Sequence, residues 1–226
     1  MTKKIFVMLA LLVGLVSGLF SANFAVNSKD LKAIDAPHYY EFDSSENPKK
    51  YYWCGHTALK IVLEANNAYK SLNEIHNDFY EIDHNEQRWR MYSYDNCSGN
   101  WCAFPKLLEY SIYKYRQNEG VNIYYNRYSY TNKTKAFDFI KKQINQGNLV
   151  IIFSDKFYSY KYKRWYNTGH FFVINGYNTK GRNKWVYVRD PDNNDPDYWF
   201  ADKAFKFDDI WKYAKHKNSL VLLVIK

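Results

Sequence analysis

Only three cysteines, five prolines and nine glycines occur in 226 residues, and each scarcity excludes something. Three thiols cannot all pair within one chain, so at least one is left over. No Pro-, Gly- or Ser-rich stretch and no block of like charge divides the chain, and its length suits one domain with a proper core. Internal repeats and low-complexity tracts are absent as well. No cysteine closely follows the apolar run at the amino terminus, which removes a lipid-anchored start. No recognised nucleic-acid motif accompanies the basic charge, so a nucleic-acid partner is not expected.

What is present begins with an export-like segment. Lys3 and Lys4 precede an apolar run from Ile5 to about Phe20, followed by the small residues Ser21, Ala22 and Ala25. Residues 1–25 read as a signal peptide and 26–226 as a single domain, exported to the periplasm or secreted by a bacterium. No site fits an Ala-x-Ala pattern well and the run nearly spans a bilayer, so an uncleaved membrane anchor is the alternative. The formal charge is +9, and losing residues 1–25 leaves +7. Such a surface suits anionic partners and says nothing of the fold. An oxidising compartment favours a disulfide between Cys97 and Cys102, whose loop contains Gly99, and leaves Cys54 free. Spacing alone also permits all three thiols to stay reduced.

Hydrophobic periodicity predicts a helix from Cys54 to about Ala65, with Ala58, Leu59, Val62 and Ala65 on one face. Ser71 and Glu74 form a capping-box signature for a helix from Leu72 to Glu81. Further helices are predicted from Pro105 to about Arg116, ending at Gly120, and from Thr131 or Thr134 to a stop at Gly147. Strands are expected at Val121–Tyr128, Leu149–Phe153, around His170, before Asp190, and at Leu220–Ile225, with a short helix over Phe207–Lys215. Helices followed mostly by strands make an α+β arrangement.

A nucleophile is suggested at the start of the first helix. There the helix dipole favours a thiolate, and unpaired first-turn amides can hold an oxyanion. Cys54 is therefore the candidate nucleophile. His170, after Gly169 at the start of an apolar strand, is the candidate base, and Asp190 at the end of the next strand is the residue to orient its ring. The turn Lys180-Gly181-Arg182-Asn183 would join the two strands into a hairpin. Between Phe157 and Tyr166 aromatic and basic residues alternate, which reads as a wet β-hairpin or as a cleft lip gripping substrate through Tyr160, Lys161, Lys163, Arg164 and Trp165. The oxygen-rich loop Asp190, Asp192, Asn194, Asp195 and Asp197 lacks the glycine and glutamate of a calcium loop. His76, Asp83 and His84 lack zinc-ligand spacing and are expected to be solvated. No metal and no cofactor is expected.

Taken together, Cys54-Gly55 opening a helix, the helix–Gly147–strand unit from Phe139 to Ile151, Gly169-His170 with Gly176-Tyr177, Asp190-Pro191, and the tail Phe207-Asp208-Asp209-Ile210-Trp211 resemble the bacteriocin-leader-processing (double-glycine leader) peptidase family. The resemblance spans roughly residues 38–226. It implies a papain-like fold, with the nucleophile-bearing helix packed on an antiparallel sheet, and a Cys54, His170, Asp190 catalytic set acting on a peptide or protein. Such enzymes usually carry a Gln six residues before the nucleophile as an oxyanion donor, where this chain has Pro48. Asn47, beside it, and the Cys54 backbone N–H are then the candidate donors. His56 replaces a usual proline and is expected to be a surface group at the helix start. The expected activity is hydrolysis of a peptide or isopeptide bond through a thioester. The alternatives are a peptidase-shaped binding module without turnover, and an amidase or transglutaminase-like transferase on the same residues.

Overall fold

The computed structural model describes residues 27–28, 30–39, 41, 45, 53–85, 92–93, 102–103, 105–159, 164–166, 169–191 and 204–226. The signal-like segment lies outside them. Among the described residues no helix is long and apolar enough to cross a membrane.

A wholly antiparallel sheet forms the middle layer. Its central strands are β6 (Val150–Ser154), β9 (His170–Asn178) and β12 (Leu220–Ile225). β6 pairs with both β9 and β12, and β12 carries β5 (Tyr125–Tyr130) on its other edge. β10 (Trp185–Arg189) lines one edge of β9 and holds β11 (Phe205–Lys206). The opposite edge of β9 is shared: β6 takes its first half and β2 (Leu31–Ala33) its last three residues, with β1 (Asn27–Ser28) beyond. Two small hairpins stand apart, β3 (Tyr92–Ser93) with β4 (Cys102–Ala103), and β7 (Phe157–Ser159) with β8 (Arg164–Tyr166).

Both faces of the sheet are covered, which explains why its central strands are apolar without alternation. α1 (Cys54–Ala65), α2 (Leu72–Asn85) and α3 (Pro105–Glu119) lie on one side. Their Leu59, Val62, Phe79 and Ile112 meet Ile151, Phe153, Phe171 and Leu223. α4 (Lys133–Asn145) and α5 (Phe207–Tyr213) lie on the other. Their Phe137, Ile140 and Ile210 meet Val150, Ile152, Phe172, Ile174 and Leu222. Alternate residues of β6 and β12 therefore feed opposite cores, and all six residues of β12 are buried.

Local signals set several boundaries. α1 has the limits its periodicity predicts. Ser71 and Glu74 make the reciprocal capping box, with Glu74 N–H donating to Ser71 Oγ at 3.2 Å and Ser71 N–H to Glu74 Oε2 at 2.7 Å. α4, however, is capped by Asn132, whose side chain accepts from the Lys135 N–H at 3.0 Å, rather than by Thr131 or Thr134. β5 begins at Tyr125 and not at Val121: Tyr124 still exchanges backbone bonds with Lys226 at 2.7 and 2.9 Å, but Ile123 N–H turns back to the Val121 carbonyl at 2.9 Å. Gly147 closes α4 at φ +85°, a left-handed backbone that a side chain resists. Gly176 has a different role. A Cβ there would lie 2.7 Å from the Lys32 carbonyl oxygen and 2.9 Å from the Ala33 Cα, so only glycine lets β2 dock on β9.

Candidate active site

α1 opens without a side-chain cap. Trp53 is its N-cap and makes no capping side-chain bond, and the first helical backbone bond is Thr57 N–H to the Trp53 carbonyl at 2.8 Å. The amides of Cys54, Gly55 and His56 thus have no acceptor within the helix. Cys54 sits in this first turn as a free, buried thiol. α1 packs against β9, so the helix start and the strand start face each other.

His170 begins β9, opposite Ser154 on β6. Asp190 follows β10 directly. Because β9 and β10 form a hairpin, the first residue of one and the residue just past the other come side by side. His170 Nε2 and Asp190 Oδ1 lie 2.6 Å apart, with the two side chains 5% and 4% exposed. The Cys54 thiol, on the helix packed against β9, is the other group that bears on the ring. Burial alone would lower the His170 pKa, but the Asp190 carboxylate, aided by Cys54, raises it well above 6.5. The three residues singled out in the sequence meet in one cluster.

A strap preceding α1 holds this cluster. Ile34 N–H donates to Asn175 O at 2.7 Å, and Arg189 Nε donates to Ala36 O at 2.9 Å. His38 Nε2 donates to the Asp190 carbonyl at 3.2 Å, and Glu41 N–H to Pro191 O at 2.9 Å. The same strap reaches α1, where the Tyr39 hydroxyl donates to the Glu64 carboxylate and Lys60 Nζ lies 4.1 Å over the Tyr39 ring. Burial depresses the Arg189 pKa to about 10, with Asp35 opposing the shift. Residues 26–53 carry no periodic pattern and read from the sequence as an irregular entry, and no role is expected of Arg189. A cation inside the apolar run Val186-Tyr187-Val188-Arg189 was the available signal.

His56 departs from expectation. Instead of lying at the surface it is fully buried, 4.9 Å from Trp53 in a stacked arrangement and 4.6 Å from Phe79. His76, expected to be solvated, is half-buried against the same indole at 4.9 Å. A neutral imidazole packs like an aromatic ring when aromatic neighbours surround it, and α2 brings His76 and Phe79 to this one. Burial, and secondarily His76, holds the His56 pKa well below 6.5.

Other expected site residues fall elsewhere. Asn47, Pro48, Cys97, Tyr160, Lys161 and Lys163 lie outside the described residues, as do Asp83 and His84 in their side chains, while Arg164 and Trp165 belong to β8. Among the described residues no disulfide forms, and no His, Cys, Asp and Glu cluster is arranged to hold a metal.

The sequence pattern of the Peptidase_C39 like family matches residues 33–219. Among solved structures the chain is similar to UfSP from C. elegans, at 10% identity and a TM-score of 0.46, over 92% of this chain and 36% of that one. The chain thus spans little more than a third of UfSP. No curated protein matches it.

Proposed function

Since the chain belongs to the Peptidase_C39 like family, with the fold of a papain-like cysteine peptidase, we propose that it cleaves a peptide or isopeptide bond through Cys54, His170 and Asp190. The observation carrying this reading is the buried 2.6 Å His170–Asp190 contact, with the Cys54 thiol near enough to favour the imidazolium. His170 takes the thiol proton and Cys54 Sγ attacks the substrate carbonyl carbon. The Cys54 backbone N–H, at the positive end of α1, is placed to donate to the tetrahedral oxyanion. As the C–N bond breaks, the imidazolium returns its proton to the leaving amine, and a thioester remains on Cys54. Water then gives a proton to His170 and displaces the thiol, releasing the acid. Asp190 keeps the ring in the tautomer and orientation both steps need and stabilises the imidazolium.

The signal-like segment at residues 1–25 supports action outside the cytoplasm, anchored if that segment stays uncleaved. The motifs quoted above support peptide leaders ending in a double glycine as a substrate to try first. Iodoacetamide labelling of the folded protein followed by peptide mapping tests the chemistry: Cys54 is expected to be alkylated at neutral pH, ahead of denatured controls. An unreactive Cys54 would overturn the enzymatic reading and leave a peptidase-shaped binding module. Mass spectrometry of products formed with added amine separates hydrolysis from acyl transfer.

A further inference from the structure

At the far end of the β9–β10 hairpin from His170 lies a cavity of about 180 Å³. The eight rises of about 3.3 Å along the nine residues of β9 place it about 26 Å from the proposed active site. It is lined by Lys133 and Thr134 from the start of α4, Arg182, Asn183 and Lys184 from the hairpin turn, Lys206 from β11, and Phe207 and Asp208 from α5. Four cations delivered by three elements thus converge on one small space with a single carboxylate.

That carboxylate is already engaged, since Asp208 Oδ1 accepts from Lys133 Nζ at 3.0 Å. Arg182, Lys184 and Lys206 form no ion pair among the described residues. Lys184 Nζ is instead 4.7 Å over the Phe137 ring and Lys206 Nζ 5.7 Å over that of Trp185, contacts that fix the ammonium groups beside the cavity without neutralising them. Like charges held together in this way repel, and a multivalent anion removes the repulsion. The neutral donors suit the same ligand. Thr134 contributes a hydroxyl and Asn183 an amide, and the Lys133 and Thr134 amides have no acceptor within α4.

We propose that this cavity is a binding site for a phosphate group, separate from the peptidase site and independent of its chemistry. Two sources share that chemistry, free inorganic phosphate and the phosphate of an anionic lipid headgroup. Inorganic phosphate titrated into the full chain should shift the amide resonances of Lys133, Thr134, Arg182 and Lys184 saturably, beyond the effect of chloride at equal ionic strength. The double variant Arg182→Gln/Lys206→Gln should weaken binding by at least about tenfold. Arg182→Lys/Lys206→Arg should retain it, and exposed Lys106→Gln should bind as the native chain does. Circular dichroism confirms that each variant is folded. Sedimentation with phosphatidylglycerol vesicles but not phosphatidylcholine vesicles, lost in the double Gln variant, identifies the headgroup as the source. Saturable shifts without sedimentation identify free phosphate. Shifts no larger than those with chloride, or a double Gln variant that binds as tightly as the native chain, would overturn the proposal.

Discussion

Cys54→Ala is expected to lower peptide hydrolysis by on the order of a hundred-thousandfold while leaving the fold intact. The thiol is the only group in the cluster that can form the thioester, and neither His170 nor Asp190 can replace it as nucleophile in this geometry. Structural damage should be small. Alanine is the better helix former, Cys54 contributes one sulfur to the core between α1 and β9, and the loss should be about 1 kcal/mol. Melting temperature and turnover of a fluorogenic peptide, measured on the same preparation, separate the two effects. Persistent cleavage by the alanine variant would remove Cys54 from the mechanism.

Asp190→Asn should reduce turnover by on the order of a thousandfold and change how stability depends on pH. The amide keeps the size of the carboxylate but not its charge, so the imidazolium of His170 loses the partner that holds its pKa well above 6.5. In the native chain the raised pKa makes protonation favour the folded state. That contribution is complete below about pH 6.5, where His170 in the unfolded chain is also protonated, and it fades as pH rises through the folded value. The variant should therefore be less stable by about 2 kcal/mol on the acid side of neutrality, with the gap narrowing at higher pH. Denaturant unfolding across that range measures the gap. A gap constant with pH would mean that Asp190 does not stabilise the imidazolium.

Much of the fold was legible because it rests on local patterns. The periodicity of α1, the Ser71–Glu74 box, the stop at Gly147 and the apolar run of β12 each declare themselves within a dozen residues. Cys54, His170 and Asp190 were legible because each stands where an element begins or ends. Less visible were features decided by neighbours distant in sequence. The N-cap of α4 is the local exception, a matter of phase that Thr131, Asn132 and Thr134, all capping residues, leave open. His56 is buried because Trp53, His76 and Phe79 enclose it, and a histidine after Cys-Gly carries no sign of that enclosure. The strap was missed for the same reason: residues 34–39 have no regular structure of their own, and their hydrogen bonds go to partners far along the chain.

Those partners give the strap a role in the order of assembly. Arg189 meets Ala36, and Asp190 meets His38, across sequence separations of 153 and 152 residues. Contacts that close so much chain carry a large entropy cost and form late relative to local ones. β9 and β10 can pair as a hairpin before the amino-terminal segment arrives, but the backbone carrying Asp190 is fastened only when that segment docks. Refolding followed in parallel by far-ultraviolet circular dichroism and by Cys54 alkylation should show secondary structure returning before thiol reactivity. Simultaneous recovery would contradict this order. Under it, an incomplete chain or a folding intermediate would hold all three cluster residues and still be unable to cut its neighbours, so proteolytic competence would itself report that folding is complete.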